Sequence, residues 1–294
     1  MKKSSNQIEV VGLIANPEKL SCRGAVQKAA ALVAASGRSA VTERETAKLA
    51  RLQLDVLPDA AAVARRADLL LVFGGDGTML RVARDVAGVG TPILGINVGG
   101  LGFLTAVPSP RLRPALELVW AGQFVLETRP LIAAVGRASG EPIRQLALND
   151  FVITRGIVSR LIELDVSVDG QLLTRYRCDG FIVSSPTGST AYSLSAGGAV
   201  VSPRAEVFTL TPICPHTLSN RSVVVRLDSA VEVRIVSPNL EAILTADGQV
   251  QSALATGDAV TISRSRRAVR LMHLAGGTFF DTLRRKLNWS GSNV

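Results

Sequence analysis

Apolar and polar positions along this chain follow two different rhythms. Up to about residue 124, short apolar runs alternate with stretches of helical spacing. Ile8–Ala15, Leu52–Leu57, Leu69–Phe73 and Pro92–Asn97 read as strands, and Gly24–Ala35, Ala60–Arg66, a segment from Thr78 and Arg113–Ala121 read as helices. Leu69 to Phe73 is apolar without a break, the mark of a strand covered on both faces. Strands alternating with helices predict a Rossmann-like, doubly wound parallel sheet.

Beyond Phe124 the period becomes two. Leu161–Val168 alternates, turns at Asp169-Gly170 and returns through Gln171–Arg177, the pattern of a tight hairpin. Val223–Val225 and Val231–Ile235 flank Asp228-Ser229, and Ala242–Ala246 and Val250–Ala255 flank Asp247-Gly248. This half is therefore expected to be an antiparallel β-sandwich. Phe279, Leu283 and Leu287 restore helical spacing in the tail, a helix expected to pack back on the first domain. The domains expected are an α/β domain over 1–124, a β-sandwich over 125–276 and a helical tail over 277–294.

Composition narrows the setting. With 294 residues, 47% of them hydrophobic, the chain can bury two cores. No apolar run approaches the ~18 residues of a membrane helix, so no membrane association is expected. The opening Met1-Lys2-Lys3 leads into an apolar stretch interrupted by Glu9, which reads as a first strand and not as a signal peptide. Cys22, Cys178 and Cys214 are widely spaced and the histidines number two. That pattern offers no metal-ligand spacing and suits a reducing, cytoplasmic compartment. A net charge of +9 calls for polyanionic partners. Aromatic residues for base stacking are only 4% of the chain, so phosphorylated metabolites fit better than nucleic acid, even with the run Arg264–Arg270.

Two stretches carry chemistry. Gly74-Gly75-Asp76-Gly77-Thr78 stops the Leu69–Phe73 strand and leads into a helix. Glycines there admit close approach of a bulky ligand to backbone N–H groups, and a helix N-terminus favours negative charge. Read alone, the turn is a phosphate site or a capped tight turn. Residues 179–198 (DGFIVSSPTGSTAYSLSAGG) crowd small hydroxyl side chains, with Tyr192 supplying one aromatic face, a composition suited to a nucleoside.

Together these stretches resemble the bacterial NAD kinases. Further similarity lies at Asn97–Leu104, Leu148-Asn149-Asp150, Cys214–Arg221 and Lys286–Trp289. The glycine-acid turn is shared with diacylglycerol kinases, sphingosine kinases and phosphofructokinases, whereas the 179–198 block resembles the NAD kinase branch alone. The resemblance implies ATP as phosphoryl donor, NAD as acceptor and Mg²⁺ or another divalent cation, in a homodimer or homotetramer. It implies Asp76 as general base and Gly74, Gly75, Gly77 and Thr78 as phosphate-binding residues. It also implies NAD contacts from Asp76, Gly77, Phe103, Asn149, Asp150, Arg160, Arg177 and Asp179. Thr190, Ala191, Tyr192, Ser193, Leu194, Ser195 and Gln249 complete that set. Relatives more often carry Glu at the place of Asp150. Arg177, two places before Asp179-Gly180, resembles members restricted to ATP and not those that also use polyphosphate. A lipid kinase and a non-catalytic NAD(H) sensor remain as alternative functions.

Overall fold

A computed structural model describes residues 8–100, 102–138, 140–156, 160–216, 221–238, 241–274 and 278–289. Leu101 and Thr217–Asn220, parts of two of the motifs above, lie outside the described residues, as does the opening Met1–Gln7. The chain divides into two compact units, residues 1–129 with 268–294, and residues 130–267.

The first unit begins β1 (Val10–Ala15), α1 (Cys22–Ala35), β2 (Ser39–Glu43), α2 (Arg44–Ala50), β3 (Asp55–Leu57) and α3 (Ala60–Arg66). It continues through β4 (Leu69–Gly74), α4 (Asp76–Asp85), β5 (Pro92–Asn97), β6 (Val107–Pro108) and α5 (Leu112–Trp120). The main strands run parallel in the order β3-β2-β1-β4-β5. Every residue of β4 is buried, as an unbroken apolar strand requires. One face of the sheet packs Val11, Leu13, Leu69, Leu71 and Phe73 against Val26 and Val33 of α1 and Leu116 and Val119 of α5. On the other face α3 comes so close to β1 that a Cβ on Gly12 would stand 2.6 Å from Val63. Helices on both faces make the sheet doubly wound, as the alternation predicts. Strand order reverses between β1 and β4, and ligands of such sheets bind at the carboxyl ends of the strands there.

Three early elements differ from the sequence reading. β2 and α2 were not legible, because the Ser39–Glu43 strand passes into the Arg44 helix with no glycine or proline to mark the join. The Leu52–Leu57 strand shrinks to Asp55–Leu57.

The second unit holds β7 (Phe124–Ala138) from residue 130 on, β8 (Glu141–Ala147), β9 (Asp150–Arg155), β10 (Ile162–Val168) and β11 (Gln171–Cys178). Then follow β12 (Gly180–Ser184), the one-turn α6 (Tyr192–Ser195), β13 (Val207–Ile213), β14 (Val223–Arg226) and β15 (Val231–Ile235). β16 (Ala242–Ala246), β17 (Val250–Leu254) and the first part of β18 (Ala259–Leu274) complete it. One antiparallel layer orders β11-β10-β15-β18, with β7 beside β18 and β8 beside β7. The other orders β14-β13-β12-β9-β16-β17. Leu164, Val166, Val233 and Val260 of the first layer share a core with Phe151, Phe181, Phe208 and Leu244 of the second, a sandwich as expected. At the predicted hairpin turns Asp169 (φ 50°) and Gly170 (φ 79°), and Asp247 (φ 51°) and Gly248 (φ 67°), are left-handed, the geometry that selects Asp-Gly.

The second part of β18 belongs to the first unit, where Arg270 and Leu271 pair in parallel with Pro92 and Ile93 of β5. α7 (Phe279–Leu287) starts with a reciprocal capping box between Thr278 and Asp281. It belongs to the first unit too and places the Lys286 ammonium 5.4 Å from the Phe103 ring centroid. The tail therefore packs on the α/β unit.

Candidate functional site

β4 delivers the glycine turn to the carboxyl edge of the parallel sheet. The helix begins at Asp76, not Thr78, because Gly75 is extended (φ −110°, ψ −170°) and serves as its N-cap. Asp76 thus lies in the first turn, where the helix dipole favours a negative charge. Its carboxylate is held on both oxygens. The Phe103 N–H donates to Oδ2 at 2.8 Å and the Leu104 N–H to Oδ1 at 3.0 Å. The loop supplying these donors is closed by Asn97, which donates to the Gly100 carbonyl (2.7 Å) and Thr105 Oγ1 (3.0 Å). Asn97 also accepts the Gly99 N–H at 2.7 Å. Gly102 is required by contact, since a Cβ there would overlap Asp76 Oδ1. Gly74, Gly75, Gly77 and Thr78 therefore sit with Asp76 and Phe103 in one place.

Lys19 completes this corner and was missed from the sequence. The β1–α1 connection turns through Asn16, whose N–H donates to the Phe73 carbonyl at 3.0 Å and whose Oδ1 accepts the Glu18 N–H. That turn brings the Lys19 ammonium to 3.9 Å from where a Cβ on Gly75 would stand. A cation beside a glycine turn at a helix N-terminus complements a phosphate. The available signal was Asn16-Pro17-Glu18-Lys19, a turn with a basic residue directly after a buried strand.

The second unit gathers most of the other candidates. Asn149 directly precedes β9 and Asp150 opens it, beside the Pro186–Thr190 turn. Ser185 ties the two together, its N–H donating to the Asn149 carbonyl (2.8 Å) and its hydroxyl to the Leu148 carbonyl (2.6 Å). Gly188 presses on the same place, where a Cβ would overlap the Asn149 carbonyl. On the other side Asp247 accepts the N–H groups of Leu148, Asn149 and Asp150. Burial, and after it the Asp247 charge, pushes the Asp150 carboxyl up to about 7. Gln249 lies exposed just past that turn.

Thr190 and Ala191 are half-buried, and Tyr192 and Ser195 are exposed. Ser193 is fully buried, its hydroxyl bonded to Thr211 Oγ1 at 3.1 Å, and Leu194 is half-buried. Asp179 pairs with Arg155 at 2.9 Å, a partner that no motif in the sequence selects. Arg177 is exposed on β11, its carbonyl accepting the His216 N–H at 2.8 Å. Arg160 is exposed, and nothing described joins it to Asn149 or Asp150.

Known proteins match this arrangement along nearly the whole chain. The ATP-NAD kinase N-terminal domain family matches residues 11–124 and the ATP-NAD kinase C-terminal domain family residues 148–274. An NAD kinase of Moorella thermoacetica is 43% identical over 283 residues, 96% of this chain and 90% of that protein. One of Ralstonia nicotianae is 40% identical over 97% of this chain and 95% of its own. Among solved structures, yeast NADH kinase complexed with NADH superposes with a TM-score of 0.88 at 26% identity, covering 98% of this chain and 89% of that one. An NAD kinase from Archaeoglobus fulgidus in complex with ATP gives 0.73 at 27% identity, covering 96% of this chain and all of that one. Glycine turn, paired Asn-Asp and hydroxyl-rich loop thus occur in a chain that belongs to the ATP-NAD kinase family.

Proposed function

We propose that this chain transfers the γ-phosphoryl group of ATP to the 2′-hydroxyl of the adenosine ribose of NAD, making NADP. The observation that carries the residue assignment is the Asp76 carboxylate, fixed on both oxygens by the Phe103 and Leu104 N–H groups beside the glycine turn. Asp76 acts as general base: it takes the proton of the ribose hydroxyl, whose oxygen bonds to the γ-phosphorus as the bond to the β–γ bridging oxygen breaks and ADP leaves. Phosphoryl transfer rests mainly on alignment and charge neutralisation. The N–H groups of the Gly74–Thr78 turn and the Lys19 ammonium supply both to the donor. Asn149, Asp150 and the Thr190–Ser195 segment hold NAD.

The chemistry of the donor set suits a magnesium ion carried by the nucleotide. Among the described residues no three His, Cys, Asp or Glu gather into a cage, and Mg²⁺ in such enzymes is held through phosphate oxygens with one or two carboxylates. Asp76 is the carboxylate the turn offers. When bound, the ion neutralises phosphate charge.

Arg177 favours ATP over polyphosphate, and we place the enzyme in the cytoplasm as a homodimer or homotetramer. NADP formation measured with NAD and Mg²⁺ tests the reading. ATP is expected to support turnover and polyphosphate to support little. No NADP with any phosphoryl donor would overturn the activity, and equal use of polyphosphate would overturn the role of Arg177.

A further inference from the structure

Leu148 and Asn149 form a two-residue link between β8 and β9. Leu148 is fully buried, and buried backbone groups need partners. Their carbonyls go to Ser185, as described above. Their N–H groups go to Asp247: Leu148 donates to Oδ1 at 3.1 Å and to Oδ2 at 3.0 Å, and Asn149 donates to Oδ1 at 2.7 Å. The Asp150 N–H follows at 3.3 Å, and the Asp247 N–H returns a bond to the Asp150 carbonyl at 3.0 Å. One buried carboxylate therefore collects three consecutive amide donors, a charge-assisted set that fixes the direction of the chain. The left-handed backbone of Asp247 turns its side chain inward to do so.

We propose that Asp247 is the positioning residue for the Asn149–Asp150 contact with NAD, a role that rests on the proposed NAD site. Its carboxylate fixes the bend that presents these two side chains, and its charge adds to burial in holding the Asp150 proton to higher pH. Asp150 faces Ser184 across β12, which is neutral, and Asp247 from the β16–β17 turn, so the charge it meets is that of Asp247.

Asp247→Asn keeps the shape and removes the charge. The KM for NAD is expected to rise on the order of 10–100-fold, the scale for a misplaced binding group, with the KM for ATP within about twofold. The midpoint of the pH dependence of KM for NAD, near 7 by the Asp150 titration, should move to lower pH because a like charge is gone. A merely structural role would lower kcat or stability and leave that midpoint in place. An unchanged midpoint, or equal rises in both KM values, overturns the proposal. Two readings need neither turnover nor a folded variant. In the wild type the amides of 148–150 should resist hydrogen exchange, and ¹³C-detected titration of Asp150 should centre near neutrality. Fast exchange at those amides in the folded protein also overturns the proposal. If the wild type makes no NADP while these two readings hold, the functional reading has failed and the Asp247 bend has not.

Discussion

Asp76 and Asp150 begin alike and end differently. Each is the first residue of its element, Asp76 of α4 and Asp150 of β9, and each stands where consecutive backbone N–H groups converge on a carboxylate. In the first unit those donors, from Phe103 and Leu104, go to the candidate general base itself. In the second they go to a neighbour, Asp247. Asp76 is half-buried and aimed by its donors, whereas Asp150 is 4% exposed and meets a like charge. The same residue type is an oriented carboxylate in one place and a carboxyl that holds its proton near neutrality in the other. Burial, and after it the Asp247 charge, sets Asp150 apart.

The comparison breaks first at Asp76. Asp76→Asn keeps an oxygen for one of the two amide donors and cannot accept the ribose proton. Its kcat is expected to fall roughly 10²–10⁴-fold, the usual scale of general-base loss. The affinity for NAD, measured calorimetrically, should change little. Full turnover in this variant would remove Asp76 from the chemistry. Gly102→Ala is a subtler break, since the added methyl would overlap Asp76 Oδ1 and stand 2.5 Å from Thr105 Oγ1. A displaced carboxylate is expected to reduce kcat on the order of 10²-fold, with the circular dichroism of the folded protein retained. Wild-type kcat in Gly102→Ala would mean that the pinned orientation is not the reactive one.

Asp76 and its surroundings were legible because a parallel sheet announces its ligand edge. An unbroken apolar strand, three glycines and an acid share one short stretch, so the local pattern marks the edge, while the role of Asp76 comes from the resemblance. Phe103 was found only through resemblance, because the donors to Asp76 are main-chain groups, which carry no residue type. From sequence Asp247 reads as a hairpin turn. That reading is right about its backbone but silent about its carboxylate, whose partners are about a hundred residues away in sequence. Lys19 escaped for the same reason: it meets Gly75 because β1 and β4 are neighbours, and strand order is not written in period or composition. The Asp169-Gly170 and Asp247-Gly248 hairpins were read correctly, since their geometry is decided by the two residues themselves.

The gentlest test lies in the folded protein's response to pH. The Asp150 carboxyl is raised from an ordinary 3.8 to about 7. Between those values the unfolded chain has released this proton and the folded chain still holds it. Stability from this group therefore falls as pH rises from about 4 to about 7, the opposite of a salt-bridged acid. Asp150→Asn has no proton to lose, so its stability relative to wild type should improve with rising pH. From pH 5 to pH 8 the relative gain is expected to be roughly 1–3 kcal/mol, at ~1.4 kcal/mol for each pH interval of one over which only the unfolded chain has lost the proton. Urea denaturation at the two pH values measures it, alongside a raised KM for NAD in the same variant. A variant equally offset from wild type at both pH values would show that the folded protein leaves Asp150 an ordinary acid. The contrast between the two units would then reduce to which carboxylate the amides orient.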